Sequence, residues 1–321
     1  MNMNIVKIEK YLPLVDKPSR YIDNEINAIH KAFEEAEVRF CLAFPDIYEL
    51  GISHLGLKIL YSIINRIPWA MADRSYLPWV DMIKLMREEK LPLFGLESRM
   101  PHAAFDVLGI TLQTELNFSN VLELLDLSGL PVLASERNAT HPIVLAGGPC
   151  VSNPLPLSPF IDVFFLGEAE EGIVEIAELL HANPGKEDRL QALAKLESCY
   201  VPAIHDAMIT ENPDFRIKAR KYAKFHKGEA IHSPQLQSWQ LATHNRMVSE
   251  IMRGCSRGCR FCHAGYIYRP VRERNADDLL ENILREIRDS GWDEAGLISL
   301  SSSDYSCIKP LLLNLFNSIN T

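Results

Sequence analysis

Between positions 38 and 181, short apolar and β-branched runs alternate with helix-length stretches, and no other feature of the chain restricts its fold as strongly. VRFCLAF (38–44) is followed by LGLKILYSII (55–64), and FDVLGITL (105–112) by NVLELLDLSG (120–129). After PIVLAGG (142–148), IDVFFLG (161–167) is followed by GIVEIAELLH (172–181). Strands separated by helices predict an α/β fold: a doubly wound parallel sheet with helices on both faces. In such a sheet ligands bind at the carboxyl ends of the strands. The loops at Pro45-Asp46, Thr111-Leu112-Gln113-Thr114, Gly147-Gly148-Pro149 and Gly167-Glu168 therefore form a candidate pocket, with Gly147, Gly148, Gly167 and Glu168 as cofactor-binding candidates. The plainer reading of those glycines is that they permit tight turns.

A length of 321 residues, 47% hydrophobic and 23% charged, suits a soluble globular protein of about two domains. The opening MNMNIVKIEKYLPLVDK mixes charges and a proline into short apolar stretches, so it predicts neither a signal peptide nor a membrane span, and a cytoplasmic location follows. A formal net charge of −9 argues against extended nucleic-acid binding by a broad basic surface. The expected organisation is an N-terminal extension (1–36), the doubly wound domain (37–182), a polar connecting segment with some local strand structure (183–245) and a C-terminal segment (246–321). The basic run 216–227 reads either as a solvated face or as a phosphate-contacting patch.

Seven cysteines in a chain with no secretory signal point to metal ligands or small buried hydrophobes rather than disulfides. A plausible strand, MVSEIMR (247–253), runs into Gly254-Cys255-Ser256-Arg257-Gly258-Cys259-Arg260-Phe261-Cys262. Three thiols spaced C-x3-C-x2-C in one glycine-containing loop can wrap an iron–sulfur cubane. Because only three are supplied, a fourth iron keeps an open coordination position, as catalytic metal sites do. Gly254 and Gly258 let the backbone fold closely around the cluster, and Arg253, Arg257 and Arg260 offset its negative charge. Phe261 can offer an aromatic contact to an adenine. The competing reading is a Cys3His zinc site completed by His263, although a histidine directly after Cys262 would strain to reach the same ion.

The string RGCSRGCRFCHAGYIYRPVRER resembles a family of uncharacterised radical S-adenosylmethionine (SAM) proteins that carry a cobalamin-binding-like domain before the SAM barrel. KPSRYIDNE, AFPDIYELGISHLGLKILY, FDVLGITLQTE, GGPCVSNP and FLGEAEEG fit the same family, so the resemblance covers almost the whole chain. It implies that the sheet is Rossmann- or flavodoxin-like and that a (β/α) barrel begins near position 246. It also implies that Cys255, Cys259 and Cys262 hold a [4Fe–4S] cluster whose open iron takes the amino and carboxylate groups of SAM. An external one-electron reductant would then drive cleavage to a 5'-deoxyadenosyl radical, which attacks an unknown substrate. Residues 277–290 would be the first barrel helix and 295–300 the second strand, which places Ser303 and Asp304, in Ser301-Ser302-Ser303-Asp304, where the wider superfamily contacts the amino group of SAM. Ordinary turn chemistry explains those serines equally well.

Two departures from the family pattern matter. Where cobalamin domains carry D-x-H-x-x-G, this chain has Gly51-Ile52-Ser53-His54-Leu55-Gly56. His54 is expected on a helix, so cobalamin would lack a histidine lower ligand; the alternative is a domain that kept the fold for docking. In a chain of 321 residues, moreover, only 59 follow Cys262, enough for about two βα units at roughly 30 residues each. The expectation is a chain cut short early in the barrel, inactive alone, whose cysteine loop would otherwise be vestigial or zinc-binding within a cobalamin- or partner-binding module.

Overall fold

The computed structural model describes residues 5–212, 214–227 and 234–319. Positions 1–4 of the expected extension, 213 and 228–233 of the expected connector, and 320–321 at the end of the C-terminal segment lie outside the described residues. The chain divides into two compact units, Met1–Asn24 with Ala28–Lys221, and Glu25–Asn27 with Tyr222–Thr321.

In the first unit β1 (Val38–Phe44) leads through α1 (Tyr48–Gly51) and α2 (Leu55–Asn65) to β2 (Ala70–Tyr76), and α3 (Val80–Glu89) leads to β3 (Val107–Thr111). There follow α4 (Phe118–Leu127), β4 (Ile143–Gly147), β5 (Val163–Phe165), α5 (Gly172–Ala182), α6 (Lys186–Leu193), β6 (Cys199–Tyr200) and α7 (Pro202–Glu211). The sheet order is β2-β1-β3-β4-β5-β6, with the first five strands parallel and β6 antiparallel on the β5 edge. α2 packs with α5, and α3 with α4, so the sheet is doubly wound as its apolar runs predict. Val38, Phe40, Cys41 and Ala43 of β1 are fully enclosed, which is why that strand reads as an apolar run broken only by Arg39. Because β2 lies on one side of β1 and β3 on the other, the connections reverse there, and the loops after β1 and β3 bound the crevice of such sheets.

Two parts of this unit depart from expectation. The 1–36 extension contributes Val6, Ile8, Val15, Tyr21 and Phe33 to the central core, and Val6 N–H donates to the Arg99 carbonyl at 2.9 Å. The segment 183–245 is shared between the units instead of standing between them. Its β6 extends the first sheet, Arg220 bridges Gly167, and the division falls after Lys221.

In the second unit β7 (Met247–Glu250), β8 (Met252–Arg253), α8 (Ala264–Ile267), β9 (Arg272–Glu273), α9 (Ala276–Ser290), β10 (Ala295–Ile298) and α10 (Ile308–Ile319) follow in order. The strand expected over 247–253 is two strands. β7 pairs in parallel with β10, while β8 pairs antiparallel with β9, so the break at Ile251 sends the chain from one sheet to another. α9 carries the crossover between β7 and β10. Asn275 caps its start, its Oδ1 accepting from Asp277 and Asp278 N–H at 2.9 and 3.1 Å, and Gly291 with φ +68° ends it. Leu279, Ile283, Met247, Ile251, Tyr305 and Leu311 form a separate core. Among the described residues no helix is long and apolar enough to cross a membrane.

Candidate functional site

The cysteine loop is the long connection between β8 and β9. Its entry depends on Gly254, whose φ is +87°. A Cβ there would stand 2.6 Å from the Tyr268 carbonyl oxygen and 2.8 Å from that of Pro270. Gly258 also takes a left-handed φ of +65°. Both positions therefore require glycine conformationally, and Gly254 sterically as well. Cys255 and Cys262 are half-buried, Cys259 is exposed, and none is in a disulfide.

Backbone amides already address two of the sulfurs: Arg257 N–H donates to Cys255 Sγ at 3.4 Å and Gly265 N–H to Cys262 Sγ at 3.3 Å. Donors of this kind tune the potential of a thiolate-held cluster. The donor set, three thiols on one loop with amides at their sulfurs, fits an iron–sulfur cluster. The thiols do not converge in this structure; among the described residues no three His, Cys, Asp or Glu side chains gather closely enough to hold a metal ion.

The three loop arginines have different partners. Arg253 pairs with Glu250 at 2.7 Å and lies over the Phe225 ring, whereas Arg260 is exposed. Arg257 forms a two-point ion pair with Asp304: Nε donates to Oδ2 at 2.7 Å and Nη2 to Oδ1. Asp304 also accepts from Ser301 Oγ at 2.8 Å. The hydrogen bonds from Arg257 and Ser301 hold its carboxyl below the usual carboxylate value. Asp304 in turn raises the Arg257 guanidinium, to which Cys255 and Cys259 add electrostatically. The structure thus brings Asp304 to the cysteine loop. Ser303 is exposed, and Phe261, at 91% exposure, is open to solvent and to any ligand.

At the crevice of the first unit the observed partners are largely polar groups that sequence reading did not single out. The Asn117 side-chain amide donates to Asp46 Oδ2 at 2.9 Å, and that of Asn120 to the Pro45 carbonyl at 3.0 Å, joining the loop after β1 to the start of α4. An Asx pair three residues apart after an apolar strand was the available signal. His54 corrects an expectation: it lies before α2, not on it. Its extended backbone makes it the N-cap, and Nδ1 accepts from Leu57 N–H at 3.1 Å. Burial lowers its pKa to about 4, with Gln113, hydrogen-bonded to the ring, acting in the opposite direction.

The glycines of this edge differ among themselves. Gly148, with φ +106°, sits 2.6 Å at its notional Cβ from the Leu112 carbonyl oxygen, so it serves the turn. Gly147 faces open space. At Gly167 the backbone of Arg220 fills the position, 2.2 Å from a notional Cβ, and the Glu168 N–H donates to the Arg220 carbonyl at 3.0 Å. That loop is closed by protein rather than open to a ligand on this side, and the Glu168 side chain is buried.

Comparison with known proteins agrees with this architecture. Residues 56–202 match the family described as radical SAM proteins, N-terminal. An uncharacterized protein of Methanocaldococcus jannaschii is 26% identical over 272 residues, covering 84% of this chain and 51% of its own length. Two structures of the radical SAM methyltransferase TsrM from Kitasatospora setae share the fold. One, with tryptophan substrate and the SAM analogue aza-SAM bound, gives a TM-score of 0.54 at 11% identity over 88% of this chain and 51% of that one. The other, with cobalamin and a [4Fe–4S] cluster bound, gives 0.53 at 12% over 88% and 53%. The chain spans about half the length of these relatives.

Proposed function

We propose, from the match of residues 56–202 to the family described as radical SAM proteins, N-terminal, that this chain is the cluster-binding portion of a radical SAM enzyme. The observation that carries the reading is the loop itself: three free thiols at C-x3-C-x2-C, with amide donors at Cys255 and Cys262 and glycine-only backbone at Gly254. Cys255, Cys259 and Cys262 would hold a [4Fe–4S] cluster. When bound with SAM and reduced by an external one-electron donor, that cluster would supply the electron that breaks a carbon–sulfur bond, giving methionine and a 5'-deoxyadenosyl radical. Phe261, open at the loop tip, would lie against the adenine.

If the first unit holds a corrin, His54 would not serve as its ligand, because Nδ1 accepts from Leu57 N–H as a helix cap and the proton of the neutral ring then sits on Nε2. The open space at Gly147 suits a close-lying ligand. The TsrM structure that contains both cobalamin and a cluster supports pairing the two cofactors.

Anaerobic reconstitution should give about four irons and four sulfides per chain, and the spectrum of the reduced cluster should change when SAM is added. Cys255→Ser, Cys259→Ser or Cys262→Ser should each abolish that signal. The separated thiols favour a vestigial loop within a binding module as one rival, of which a zinc-holding loop is the other form. Stoichiometric zinc, or a cluster indifferent to SAM, would establish that rival instead.

A further inference from the structure

We infer that Asp304 is a positioning residue for Arg257, fixing a guanidinium beside the cysteine loop, rather than a group standing free for a ligand. The inference rests on the cluster reading above. Its basis is the two-point geometry of the pair together with the third hydrogen bond from Ser301, which leaves the carboxylate engaged on both oxygens. Asp304 is the more enclosed partner, 22% exposed against 62% for Arg257, so the carboxylate is the fixed end and the long arginine the end that is held. Arg257 lies between two of the three cysteines in sequence. Its own N–H reaches Cys255 Sγ at 3.4 Å.

An arginine left free at that exposure samples many rotamers and its charge is averaged into solvent. Tethered at two points, it stays near the thiolates. A cluster gains one negative charge on reduction, and a fixed neighbouring cation favours the reduced form. Asp304 carries the opposite charge, so its removal has two contrary consequences: a lost anion eases reduction, and a released arginine hinders it. The geometry points to the second as dominant, because Arg257 N–H reaches Cys255 Sγ at 3.4 Å whereas the Asp304 carboxylate is engaged by Arg257 and Ser301.

The test is an EPR-monitored redox titration of the full chain, reconstituted anaerobically, without SAM. In Asp304→Asn the ratio of reduced to oxidised cluster at a fixed potential should fall roughly threefold to tenfold, as expected for loss of one partly screened charge. The effect should shrink in about 1 M salt. Arg257→Gln should produce a similar fall, and adding Asp304→Asn to it should produce no further fall but a partial recovery, because with no arginine to release only the lost anion acts. Should Asp304→Asn fail to fold, Arg257→Lys serves: it keeps the charge but loses the planar fork, and it should lie between wild type and Arg257→Gln. An unchanged or raised ratio in Asp304→Asn, or a wild-type ratio in Arg257→Lys, overturns the inference. If the wild-type chain takes up no cluster, the functional reading fails first; if it takes one up and the variants leave its potential alone, only the role of Asp304 fails.

Discussion

At the scale of single residues, His54 shows how a histidine can resemble a cofactor ligand in sequence and act as a local structural group. Its Nδ1 is the acceptor that caps α2, which requires the neutral ring, and burial lowers its pKa from 6.5 to about 4. In the unfolded chain the ring keeps its ordinary value, so between pH 6.5 and 4 the unfolded state binds more protons and stability is lost as pH falls. The contribution is on the order of 3 kcal/mol across that window. His102, fully buried between Ser75 Oγ and Ser128 Oγ and lowered to about 3, adds a slope of the same sign. His54→Asn supplies another good cap and cannot titrate. Urea unfolding of the first unit should give a midpoint for this variant close to wild type at pH 7 and clearly higher than wild type at pH 5. Equal pH dependence in the two proteins would contradict the assignment.

At the scale of elements, legibility followed the physics of burial. β1, β3, β4 and β5 are visible in sequence because both sheet faces are covered and the strands are apolar apart from Arg39 and Thr111. β2 is not, since AMADRSY carries Asp73 and Arg74 at its centre, yet every residue of it is buried. A local polar network makes this possible. Asp73 accepts from the N–H groups of Arg74, Glu97 and Ser98, and Arg74 Nε donates to Glu97 Oε1 at 2.5 Å. Burial pushes the Glu97 carboxyl up while Arg74 pulls it down. Glu97 and Ser98 lie more than 20 positions from Asp73 and Arg74, so no local pattern announces them. β6 escaped notice for a different reason, being two residues long and antiparallel. In the candidate site the cysteine spacing and Asp304 were legible, whereas the Arg257–Asp304 pair depends on a separation of 47 positions. Arg74→Leu would leave Glu97 buried without its counter-charge, so it should cost about 3–5 kcal/mol. A thermal or urea melt showing a loss under about 1 kcal/mol would mean that the network is not what holds β2 in place.

At the scale of the molecule, the two units are unequally furnished. The first has a six-stranded sheet with helices on both faces and a core drawn from most of its elements. The second, among the described residues, has two two-stranded sheets and a smaller core. Its β7–β10 pair is parallel, an arrangement that normally lies inside a larger, doubly covered sheet, and isolated strand pairs are marginal in water. β10 leaves Ile298 exposed, and α10 presents Leu312, Leu313, Phe316 and Ile319 to solvent. An apolar surface of this kind on a marginal pair should open readily, because opening sacrifices little burial. Native-state hydrogen exchange should therefore show the amides of β7 and β10 exchanging at least about tenfold faster than those of β1 and β3. Leu312→Lys with Phe316→Lys should reduce binding of a fluorescent apolar dye without slowing β1 exchange. Equal protection in the two sheets would show that the second unit is held by more than the core seen in it, and would remove the case that its exposed helix face is a source of instability.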